Sequence, residues 1–89
     1  MDPVIHQPEL NRFIVELVNP KDNSKVIEPA RLDYALLDNN FIDFTHTFVP
    51  FRARGQGHAE ALVEAGLSWA KQQGYEIQAS CWYVEKFLK

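Results

Sequence analysis

The chain has a single cysteine, Cys81, among its 89 residues, so no internal disulfide can form. A lone thiol fits a reducing compartment. No apolar run approaches the roughly 18–20 residues that a bilayer-crossing helix needs. The opening Met1, Asp2, Pro3 and Val4 form neither a basic cluster nor the start of an apolar stretch, so no secretory signal is expected. Basic residues are also scarce: 9 Lys and Arg stand against 12 Asp and Glu, a formal net charge of −3. That balance argues against a nucleic-acid partner, because phosphates must be neutralised by surplus cations. No His, Cys, Asp or Glu residues share a metal-ligand spacing, and His6 stands apart from the rest. The expectation is a cytoplasmic monomer with no metal, membrane or nucleic-acid contact.

What is present is 46% hydrophobic and 24% charged residues, enough for one core. Residues 1–89 therefore read as one domain. A chain this short buries only about 60–65% of its extended surface, so a sizeable ligand must lie in a surface groove. Residues 11–18 carry Phe13, Val15 and Leu17 at period two, the mark of a strand. Residues 19–24 read as a turn. Residues 30–37 place Leu32, Tyr34 and Leu36 on one face, and residues 38–40 form the next turn. Residues 41–49 put Ile42, Phe44, His46 and Phe48 on one face, with Asp43, Thr45 and Thr47 on the other. Short polar turns between three strands predict an antiparallel meander.

The period then changes. Between residues 57 and 73, Ala59, Leu62, Val63, Gly66, Leu67, Trp69 and Ala70 fall at helical spacing, and Gly74 is a natural stop. Residues 75–80 alternate again, as a strand parallel to residues 41–49 after a β-α-β crossover. Residues 82–89 read as a short helical tail, and residues 4–6 as a short edge strand. The fold class is mixed α/β (α+β): a meander, a crossover and a short C-terminal helix.

The chemistry concentrates where the third meander strand passes into the long helix. Residues 50–58 hold Arg52 and Arg54 and no acid, and Gly55 and Gly57 strip side chains from the turn. A helix start offers unpaired N–H groups and the positive end of the helix dipole. The segment suits phosphate or pyrophosphate. It is equally readable as a plain polar turn. It is neither a P-loop nor a dinucleotide fingerprint.

Arg54, Gly55, Gln56, Gly57, His58 and Ala59 match the Arg/Gln-x-x-Gly-x-Gly/Ala pattern of GNAT-type N-acetyltransferases. The chain as a whole resembles the small, minimal members of that superfamily. The likeness extends to Phe13 and Glu16, Leu32 and Tyr34, the run Thr45, His46, Thr47, Val49 and Pro50, and a cysteine closing the last strand. Trp82 follows that cysteine where the family commonly has proline. The long N-terminal helices of full-length GNAT enzymes have no counterpart in the sequence. The resemblance implies a minimal GNAT-like fold that uses acetyl-CoA as co-substrate to acetylate an amine, without a metal. A CoA-binding module that does not turn over is the alternative. It further implies that Arg54, with Arg52, meets phosphates; that Gly55, Gln56, Gly57, His58 and Ala59 offer backbone N–H groups; and that Phe48 and Val49 pair their backbone with the pantetheine arm.

Two side chains are candidates for catalysis. Cys81, at the end of the last strand, could attack the thioester and carry the acetyl group; its parity with Tyr75, Ile77 and Ala79 equally fits a small core residue. His46 is a candidate base for the amine or a polar residue on the core face. Tyr83 could protonate the leaving thiolate or serve as core. His58 is expected to be exposed in the first helical turn.

Overall fold

Alternating apolar and polar side chains build five strands: β1 (Ile5–Gln7), β2 (Arg12–Val18), β3 (Val26–Leu37), β4 (Phe41–Phe48) and β5 (Glu76–Ala79). The helical period builds α1 (His58–Gln73), and one turn, α2 (Trp82–Glu85), follows β5. The computed structural model describes residues 4–18 and 26–88, so the turn expected at 19–24 lies outside the described residues. The sheet order is β1-β2-β3-β4-β5, antiparallel from β1 to β4 and parallel between β4 and β5. The expected meander and crossover are both present.

β3 begins at Val26, earlier than the expected residue 30. Pro29 looks like a strand breaker, but it falls where the β2–β3 register shifts between Val15 and Leu17. A proline without an N–H is tolerated at such an irregularity. The tight β3–β4 turn places Asn39 and Asn40 at φ 63° and 65°, and asparagine visits that left-handed region more readily than most residues. Asn40 Nδ2 donates to the Gly74 carbonyl at 2.6 Å, tying this turn to the end of α1. Gly74 itself, at φ 79°, ends the helix, and the Tyr75 N–H donates back to Ala70 O.

α1 lies across one face of the sheet. Leu62, Val63 and Ala70 from the helix meet Val15, Leu32, Ile42 and Phe44 from the strands, and Val84 of α2 completes the core. Contact is closest at Gly66, where an added Cβ would sit 2.7 Å from Leu32 Cδ2 and 3.0 Å from Phe44 Cε1. Leu36, expected on the core face, is 47% exposed. Its strand outruns its neighbour, since pairing between β2 and β3 extends only to Asp33.

β1 is held by an aromatic cluster. The His6 ring stacks on Phe13 at 4.1 Å, meets Trp69 edge-on at 4.5 Å, and places Nε2 2.7 Å from the Tyr34 hydroxyl. Burial pulls the His6 pKa below its ordinary 6.5, against the opposing pull of Glu9. The folded chain therefore binds this proton less readily than the unfolded chain. The full contribution is present above the unfolded-state pKa and is lost as pH falls toward and through the depressed folded-state value. Urea midpoints should drop on the acid side of about pH 6.5. His6→Phe should flatten that decline, and an undiminished slope in the variant would assign it to other groups.

Candidate active site

The site begins with an irregularity in β4. Tyr34 pairs with Phe44 and Asp33 with His46, leaving Thr45 as an extra residue. Such a bulge reverses which face the following side chains take. Thr47 now pairs with Leu32, which points into the core, and His46 and Phe48 lie on the opposite face beside Asp33 and Arg31. The Arg31 guanidinium sits 5.1 Å from the centroid of the Phe48 ring. Strict alternation placed His46 and Phe48 on the core face; the bulge corrects that placement.

β4 and β5 then part. Their ladder runs from Phe41 to Phe44 against Glu76 to Ala79, with a last bond from the Cys81 N–H to Phe44 O at 3.1 Å. The Asp43 carboxylate clamps the end of β5, accepting from the Ser80 N–H at 2.7 Å and from its hydroxyl at 2.6 Å. Beyond that point lies a cleft of about 800 Å³ between the edge of β4, the start of α1, and the turn into α2. Its walls include Thr45, His46, Thr47, Phe48 and Val49 from β4 and the residues just after it, and Ser80, Cys81, Trp82 and Tyr83 from the other side.

At the helix end of the cleft, Gly55 and Gly57 adopt φ 80° and 83°. A Cβ on either would meet nothing within 4 Å, so these glycines answer a backbone requirement rather than a shortage of room. Gly57 is the N-cap of α1 and no side chain caps the helix. The first-turn N–H groups are thus left for a ligand or water. Arg54 fastens this turn: its Nε donates to Val49 O at 3.0 Å, and its guanidinium lies 5.7 Å from the Phe51 ring.

Arg54, Gly55, Gly57, His58 and Ala59 all border the cleft, whereas Arg52 and Gln56 do not. His58, expected in solvent, is 7% exposed. It stands four residues before Leu62 and eight before Gly66, on the stripe that α1 presses against the sheet. The cleft also recruits residues to which the sequence assigned no role in the site: Thr45, Thr47, Ala53, Glu60, Ser80 and Trp82. Position alone could have flagged Ser80 and Trp82, which flank Cys81.

At the other end, Cys81 is half-buried and its Sγ lies 3.4 Å from Thr47 Oγ1. Burial by itself raises the thiol pKa. The Thr47 hydroxyl and the backbone groups of Val84, Tyr83 and Thr47 outweigh it, leaving the thiol below its ordinary 9.0. Tyr83 moves the other way: burial, and then the charge of Glu60, keep its hydroxyl protonated. Among the described residues, no group of three His, Cys, Asp or Glu side chains is arranged to hold a metal ion, and no helix is long and apolar enough to cross a membrane.

A family model described as GCN5-related N-acetyl-transferase matches residues 20–89. Protein NATD1 of Bos taurus is 29% identical over 86 residues, covering 97% of this chain and 71% of the relative. Protein NATD1 of Homo sapiens is 28% identical over the same shares, and that of Danio rerio is 26% identical over 97% of this chain and 73% of its own. The solution NMR structure of a GCN5-like protein from Staphylococcus aureus superposes with a TM-score of 0.62, covering 97% of this chain and 76% of that one. At 23% identity, that last likeness speaks for the mixed α/β fold.

Proposed function

The chain belongs to the GCN5-related N-acetyltransferase family, and from that premise we propose that it transfers an acetyl group from acetyl-CoA to an amine. One observation carries the reading: a single cleft joins the uncapped start of α1 to the Cys81 thiol. The diphosphate meets the first-turn N–H groups and the Arg54 guanidinium, where charge-assisted hydrogen bonds are strong. The pantetheine arm runs along the edge of β4 that β5 leaves, past Phe48 and Val49. This directs the thioester toward Cys81.

The Cys81 thiolate attacks the thioester carbonyl, forming a new C–S bond as the bond to the CoA sulfur breaks. The departing CoA thiolate takes a proton from the Tyr83 hydroxyl. The amine then attacks the acetyl group on Cys81 and releases its proton to His46, which stands exposed on the cleft wall. Breaking the C–S bond returns the Cys81 thiolate. Tyr83 recovers its proton from water, and His46 releases the amine proton to water.

Incubation with acetyl-CoA alone should leave the chain heavier by one acetyl group, located on Cys81 by peptide mapping. A panel of small amines should discharge it. Cys81→Ser with undiminished turnover would eliminate the carrier step and leave direct transfer. Tight CoA binding with no acetylation of protein or amine would leave a binding module.

A further inference from the structure

We propose that Thr47 is a positioning residue that holds Cys81 Sγ as a thiolate at the β5 end of the cleft, in place of a histidine partner. The inference rests on Cys81 being the acyl carrier, but its test does not depend on acyl transfer. Three observations place Thr47 in this role. The extra residue Thr45 reverses β4 and brings Thr47, rather than His46, onto the face shared with Leu32. The Cys81 N–H is fixed to Phe44 O at 3.1 Å, so the backbone carrying the sulfur is anchored to the same strand just before the bulge. The Thr47 hydroxyl then meets Sγ at 3.4 Å, the one side-chain hydrogen bond to that sulfur among the described residues.

A hydroxyl that donates to sulfur favours the anion, because the thiolate accepts better than the thiol. The other charged and titratable groups bordering the cleft are His46 from β4, Arg54 from the turn, His58 and Glu60 from α1 and Tyr83 from α2. The causes that move the Cys81 thiol are burial and hydrogen bonds, with no neighbouring charge among them. Thr47 is a neutral donor, so it can favour the anion without introducing a titration of its own near pH 7. A β-branched threonine also has restricted rotamers, which keeps Oγ1 aimed at the sulfur.

The test is the pH–rate profile for alkylation of the full chain by iodoacetamide, with Thr47→Val and Thr47→Ser compared with wild type. Valine keeps the shape and removes the donor, and serine keeps the donor. Thr47→Val should move the profile to higher pH and slow alkylation at neutral pH by about tenfold, one pKa unit. Thr47→Ser should restore most of the wild-type profile. A Thr47→Val profile that superimposes on wild type, at equal thermal midpoints, overturns the proposal. So does a shift that serine fails to rescue. If the profile shifts as expected but no acetyl group ever appears on Cys81, Thr47 retains its role toward the thiol and the carrier reading is the one that fails.

Discussion

Arg54→Ala combined with Gly57→Val should weaken CoA binding by about a hundredfold or more, with the far-ultraviolet circular dichroism unchanged. Gly57 sits at φ 83° as the N-cap of α1. A side chain in the left-handed region costs about 1–2 kcal/mol for an L-residue, more for a β-branched one. The turn relieves that strain by re-orienting the first-turn N–H groups. Nothing inside the protein blocks a Cβ there, so the core is not disturbed. Removing Arg54 deletes a guanidinium at the cleft, and hydrogen bonds to charged groups are worth about 1.5–3 kcal/mol. The two losses together correspond to roughly two to three orders of magnitude in Kd. Arg52, outside the cleft, is the control: Arg52→Ala should bind CoA like wild type. Equal affinity for the double variant and wild type in calorimetry would remove the turn from the site.

Phe44→Ala should be the most damaging single core change. Phe44 is fully buried on β4, packs under Gly66 of α1, and meets Tyr34 edge-on at 6.2 Å. Truncating a buried phenylalanine costs about 3–5 kcal/mol. A domain of this size has about 4–13 kcal/mol in total at typical per-residue stability. The variant should melt roughly 15–30 °C lower. Its carbonyl also accepts from the Cys81 N–H, so slackness here should spread to the thiol end of the cleft. A midpoint within about 5 °C of wild type would mean that the helix and sheet can close over the gap.

The elements were legible because they rest on local periodicity. Phe13, Val15 and Leu17 alternate and are all buried, and Leu62, Val63, Gly66 and Ala70 trace the face of α1. The glycine turn was also legible, because Gly55 and Gly57 precede a helical period and adopt the left-handed backbone that glycine permits. The bulge was not. Thr45, His46 and Thr47 alternate as smoothly as a regular strand, and what displaces them is the pairing of β4 with β3, a long-range relation. With the bulge unseen, Thr47 was assigned to the wrong face and its contact with Cys81 could not be foreseen. The burial of His58 was illegible for another reason: its spacing from Leu62 marks the buried stripe, but its polarity argues for solvent. The extent of the cleft depends on where β5 leaves β4, and the Asp43 clamp on Ser80 that ends the ladder joins residues 37 apart in sequence.

The most direct measurement is a titration of nitrogen-labelled protein with CoA, followed through its backbone amide signals. Recognition of the diphosphate at the start of α1 requires the amides of Gly55, Gly57, His58 and Ala59 to shift and saturate with a single Kd, accompanied by Cys81 at the far end. If those amides stay fixed while others move, or if none moves at millimolar CoA, the helix start is not where this protein meets its co-substrate.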